Sequence, residues 1–127
     1  MRWEPRLWLT LAAVSGGLSV IMGAFAAHGV TDARAQDLLR TGATYEMTHA
    51  LAVLACGALM QAGLRRVRHA PAFFLAGSLI FSGTLYAMAL GGPRLLGAAT
   101  PVGGFLFIVG WGVLAWTISR SGEARSA

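Results

Sequence analysis

Residues 7–27 read LWLTLAAVSGGLSVIMGAFAA, and from Leu7 to Ala27 no side chain carries a charge. A helix of that length at 1.5 Å per residue is about 31 Å long, the thickness of a bilayer's hydrocarbon core. Arg2 and Arg6 stand ahead of it, and Ala24-Phe25-Ala26 imitates the cleavage site of a signal peptide. The run is longer than a signal core, so a retained membrane span is expected.

Outward from this stretch, three more apolar runs follow, at about Tyr45–Leu64, Ala72–Leu90 and Val102–Ser119. Four such segments cannot be hidden inside a soluble fold of 127 residues. Composition agrees: 56% of residues are hydrophobic and 12% charged, with a mean hydropathy of +0.63, against about 25% charged in soluble domains. The 17 glycines suit membrane helices, whose backbones approach closely through small residues. The expected fold class is all-α: one membrane domain over residues 1–127, a four-helix bundle threaded up-down-up-down, with spans at about 7–27, 45–64, 72–90 and 102–119.

The net charge of +5 rests on ten arginines and no lysine. On a soluble protein that balance would suggest nucleic acid. Here the arginines occupy short connections between apolar runs, so they set topology and no nucleic-acid partner is expected. Arg2, Arg6, Arg65, Arg66, Arg68, Arg120 and Arg125 fall on one side of the threading, whereas Arg34, Arg40 and Arg94 fall on the other. Asp32, Asp37 and Glu46 offset the first two of that second set. The positive-inside rule then puts both termini and the Arg65–Arg68 connection in the cytoplasm. Trp3, Trp8 and Trp116 fall near the same boundary, where indoles prefer to sit. Cys56 is the only cysteine, so it forms no intrachain disulfide and reads as packing.

The connections differ in character. Leu64 to Pro71 is a tight basic turn, with Pro71 suited to open the third helix. Gly91-Gly92-Pro93 stops that helix, and Thr100-Pro101 begins the fourth as N-cap and first helical residue. Between His28 and Thr44, the series Ala33, Gln36, Asp37, Leu38, Leu39, Arg40 predicts a short amphipathic helix on the outer surface, with Gly42 as the break before the second span. Small residues recur at spacing four along Ser15, Ser19, Gly23 and Ala27, and two glycine stripes run down the fourth span. Gly16, Ser19, Gly23, Gly83, Gly104 and Gly112 are the positions expected at helix contacts.

No phosphate loop, dinucleotide fingerprint, paired cysteine motif or nucleophile elbow is present. What remains is a polar set. The threading predicts that His28, Tyr45, Glu46, His49, Ser82, Tyr86 and Thr100 lie at one level, within about two turns of the outer boundary. Glu46 and His49 share a helix face, and ionisable groups inside a membrane are expensive unless partnered. One reading makes the set hydrogen-bonded glue between helices. Another makes it a site for a lipid head group, a proton or a small solute. A minimal metal site with His28 is a further reading, but two histidines on different helices are weak evidence where at least three good ligands are wanted, and neither metal nor cofactor is expected. His69 reads as solvated or lipid-facing, and Met22, Met47, Met60 and Met88 as packing.

The series Met22-Gly23-Ala24-Phe25-Ala26-Ala27-His28-Gly29, Tyr45-Glu46-Met47-Thr48-His49-Ala50-Leu51, Phe81-Ser82-Gly83-Thr84-Leu85-Tyr86, Thr100-Pro101-Val102-Gly103-Gly104 and Gly110-Trp111 resembles the domain-of-unknown-function 423 family of small bacterial inner-membrane proteins. The resemblance covers nearly the whole chain. It implies a four-helix membrane fold and no particular activity. The family pattern usually carries Gly where Ala26 stands and often Gln where Glu46 stands. An amide in place of Glu46 favours hydrogen bonding over proton relay.

Together these features predict a non-enzymatic accessory or structural protein that packs with membrane lipid, with copies of itself or with another membrane protein. The alternative is an oligomeric binding or transport module using the outer polar set. Four helices are too few for alternating access within one chain. A membrane-embedded enzyme is a third reading, with no motif to support it.

Overall fold

The computed structural model describes residues 2–122, which are helical with no strand among them. Helix α1 is Pro5–His28, α2 is Ala33–Gln61, α3 is Pro71–Ala89 and α4 is Thr100–Ser121. Short 3-10 turns at Arg65–His69 and Arg94–Ala98 lead into α3 and α4.

Each helix end has a local cause. Proline opens α1, α3 and α4, where its missing N–H and fixed φ cost nothing. Asp32 caps α2, its carboxylate accepting from the Ala35 amide at 2.9 Å. Gly63 (φ 102°) and Gly91 (φ 99°) take left-handed backbone just past α2 and α3. The amides of Gly63 and Leu64 donate to Met60 and Leu59, and those of Gly91 and Gly92 to Met88 and Ala87, the Schellman pattern at both ends. Thr100 is not the N-cap expected of it. It is the first residue of α4, and its hydroxyl turns to Thr84 at 2.7 Å and to the Leu96 carbonyl at 3.2 Å.

Among the described residues three segments are long and apolar enough to cross a membrane: Pro5–His28, Arg65–Ala89 and Arg94–Ser121. Helix α2 is not among them, because Arg34, Asp37, Arg40, Glu46 and His49 interrupt it. The break expected at Gly42 does not occur. The 29 residues of α2 run unbroken through it, so residues 33–44 form no separate helix. Gly42 serves close packing instead: a Cβ there would lie 2.6 Å from the Tyr86 ring.

Helix α1 packs on α2, α2 on α3 and α3 on α4, while α1 and α4 form no packed pair. The array is open, and α2 lies inside it. That placement explains how a helix with so many polar groups is accommodated: Glu46, His49 and nine apolar or small residues of α2 are buried against its neighbours. At one end α2, α3 and α4 converge on the Arg65–His69 turn. Ala12, Ala52, Val53, Cys56, Phe74 and Leu114 pack around Val67 and Ala70, neither of which exposes any surface. The basic turn is thus plugged into the core, not merely a link over its surface.

The tight helix seams differ from the expected stripes. Between α3 and α4, a Cβ on Gly103 would strike the Phe81 backbone nitrogen, and one on Gly77 would lie 2.6 Å from the Phe107 ring. On Gly110 it would lie 2.7 Å from Phe74, and on Gly57 2.8 Å from Leu9. Gly83 and Gly112 meet nothing within 4 Å, so they mark no seam. Gly16, Gly23 and Gly104 make ordinary contacts at 3.8–3.9 Å, and Ser19 is buried with its hydroxyl on the Gly16 carbonyl.

Candidate functional site

Helix α2 supplies the centre of the polar set. Glu46 is 7% exposed and His49 3% exposed, and although they share a helix face they reach different neighbours. The Glu46 carboxylate faces α1 and α3. Its Oε2 accepts the Ser15 hydroxyl at 2.9 Å and its Oε1 accepts the Tyr86 hydroxyl at 2.7 Å. Four residues earlier, the Gly42 carbonyl accepts the Ser82 hydroxyl at 2.7 Å. Among the described residues no arginine pairs with Glu46, and Arg94 stands exposed in its own turn. One acid is therefore held by two neutral hydroxyls from two other helices.

His49 faces α3 and α4. Its Nδ1 lies 2.6 Å from the Tyr45 carbonyl, which only accepts, so Nδ1 carries the proton. Its Nε2 is then the acceptor for the Trp111 indole N–H at 3.0 Å. Both ring nitrogens are committed and the ring is neutral. Phe107 stacks on it with centroids 3.5 Å apart and planes 8° from parallel, and Phe74 tilts against its other surroundings at 5.6 Å. Such an imidazole locks α2 to α4 across a gap that the backbones do not close.

The set divides into separate groups along the helices. Ser15 is ten residues from Pro5 and thirteen from His28, about 15 and 20 Å along α1. Glu46 and His49 lie near the middle of α2, and Trp111 at the middle of α4. Tyr86 starts three residues before the end of α3, and its ring slopes back towards the helix N-terminus, as helical side chains do. Glu46, Tyr86 and Ser82 are brought together, and Tyr45 joins His49 with rings 6.2 Å apart. Thr100 is elsewhere, with Thr84. His28 stands exposed at the end of α1 and joins nothing in the set.

Three positions that bind this polar network together escaped the sequence. Ser15 was visible only as a member of a small-residue stripe, and Trp111 only as part of a motif. Phe107 carried no signal beyond apolarity. Beside them a groove of about 710 Å³ opens between α2 and α4, with Phe81 as its floor and Tyr45, Phe105, Ile108 and Trp111 along its walls. Tyr45 is 45% exposed there, and among the described residues nothing hydrogen-bonds its hydroxyl. No group of three or more His, Cys, Asp or Glu among the described residues is placed to hold a metal ion.

The sequence profile of the family described as protein of unknown function DUF423 matches residues 22–104. A UPF0382 membrane protein of Haemophilus influenzae is 41% identical over 117 residues, covering 90% of this chain and 94% of that protein. The UPF0382 inner membrane protein YgdD of Escherichia coli K12 is 38% identical, covering 86% of each chain. A UPF0382 membrane protein of Staphylococcus epidermidis is 38% identical, covering 86% of this chain and 92% of its own. No solved structure matches. The chain belongs to the DUF423 family of membrane proteins of unknown function.

Proposed function

We propose, from that membership and from the geometry of its polar groups, that this protein is a non-enzymatic accessory protein of the inner membrane. It packs against lipid and other membrane proteins through the outer faces of α1 and α4. The observation that carries this reading is the open array: α1 packs chiefly on α2 and α4 chiefly on α3, and the two do not close on one another. Leu11, Val14, Leu18 and Ile21 stay exposed along α1, and Val102, Phe105 and Ile108 along α4. The internal polar groups support it too. Ser15, Glu46, Tyr86, His49 and Trp111 are all engaged with one another or with backbone, as groups that join helices are.

Threading follows in this reading as up-down-up-down. Leu9 meets Gly57, Gly16 meets Ala50 and Gly23 meets Ala43, so α2 runs antiparallel beside α1 for about 21 Å. A helix that accompanies a spanning helix over that distance crosses with it, despite its own polarity. The N-terminal part of α2, with Arg34, Asp37 and Arg40, then projects beyond the outer end as an amphipathic stub. The inner-membrane names of relatives and the arginine distribution support cytoplasmic termini.

The test is photo-crosslinking in native membranes, with the probe at Leu18 on α1 or at Ile108 on α4. A discrete protein adduct at either face is expected. If neither face yields an adduct while the protein stays folded, the docking role is wrong. The second reading, a binding module, is favoured by the Tyr45 groove alone. It requires Tyr45→Phe to abolish a bound small molecule without changing thermal stability.

A further inference from the structure

A second pocket lies at the other end of the helices and stands apart from the reading of α1 and α4 as docking faces. It encloses about 700 Å³ where the N-terminal stretch, the end of α2 and the Arg65–His69 turn meet. Three guanidinium-bearing side chains line it, Arg2, Arg65 and Arg68, and among the described residues no carboxylate does. Among the described residues none of the three forms an ion pair.

The local structure arranges these charges. In a 3-10 helix residues three apart eclipse one another, so Arg65 and Arg68 project from one face of their turn. Arg66 projects elsewhere, and Val67 is driven into the core with none of its surface exposed, which fixes the turn's rotation. Arg2 is held from the other side. Its carbonyl accepts the Trp8 indole N–H at 3.3 Å, and Trp3 stacks on Trp8 with planes 9° apart. The remaining wall is uncharged and, apart from Gln61, largely apolar, with Leu9 and Met60 continuing from the arginines along the α1–α2 seam.

Three cations lining one pocket with no acid among the described residues there, beside a largely apolar wall at a helix seam, fit a phosphate ester that carries a hydrocarbon chain. We propose that this pocket is a specific site for an anionic phospholipid. The phosphate is held by Arg2, Arg65 and Arg68, and one acyl chain lies along Leu9 and Met60. Arginines that merely set topology would attract anionic lipid diffusely, whereas a built site depends on which arginines are removed.

The experiment uses the full chain in nanodiscs of phosphatidylcholine mixed with phosphatidylglycerol, with native mass spectrometry to count retained lipid. Phosphatidylglycerol is expected to be retained over phosphatidylcholine, and Arg65→Gln with Arg68→Gln to weaken that retention about tenfold. Arg6→Gln with Arg66→Gln removes the same charge from the same end, outside the pocket, and is expected to leave retention within about twofold. Arg65→Lys with Arg68→Lys, which keeps the charge, tests whether loss follows misfolding and should retain most binding. Equal retention of the two lipids, or equal loss in both glutamine pairs, would overturn the site. Displacement by millimolar glycerol 3-phosphate would also overturn it, since a soluble phosphate would then be the ligand.

Discussion

Glu46 decides whether the buried polar set is chemistry or connection. Its two oxygens receive hydroxyls from α1 and α3, and an amide keeps the acceptor that Tyr86 requires. Glu46→Gln is therefore expected to cost less than about 1 kcal/mol, as neutral hydrogen bonds in membranes are modest. Glu46→Ala strands the Ser15 and Tyr86 hydroxyls in the interior and should cost about 2–3 kcal/mol. Thermal unfolding in mild detergent compares them, and a glutamine variant as unstable as the alanine variant would show that the charge itself matters. Tyr45, Glu46, His49, Ser82 and Tyr86 were legible in the sequence because ionisable and phenolic groups stand out in apolar runs. Their partners were not. Ser15 and Trp111 are ordinary residues of a membrane helix until a neighbour's register is known, and His28 is polar without having anything to meet.

At the scale of the helices, punctuation was readable and seams were not. The prolines at the starts of α3 and α4 and the glycines after α3 act locally, so residues alone identify them. Gly42 reads as a break because glycine weakens a helix by about 1 kcal/mol, but packing of α2 against Tyr86 outweighs that penalty. A glycine stripe likewise marks a surface on which another helix could lie close, without saying whether one does. In α4 the stripe through Gly103 and Gly110 faces α3, and Gly112 faces away. Gly103→Val is expected to destabilise by about 2 kcal/mol or more, since overpacking against backbone has no side chain to displace. Gly112→Val should stay within about 0.5 kcal/mol. Equal effects at the two positions would mean that α3 and α4 do not meet along this seam.

For the whole molecule, apolar length and arginine placement carry the membrane assignment, because the bilayer acts on every residue of a span at once. A cysteine at position 68 tests orientation: impermeant reagents should reach it only after the cytoplasmic side is opened. Labelling from outside in intact cells would invert the topology. The open order of helices could not be read from the sequence, since a closed bundle and an open array use the same apolar runs and the same loop lengths. That openness is what makes partnership the central claim. Native mass spectrometry of the protein released directly from its own membrane tests it most directly. The account predicts a complex with a second protein chain or with further copies of this one, lipid being present in either case. A lone chain under every gentle release condition, with or without lipid, would contradict it.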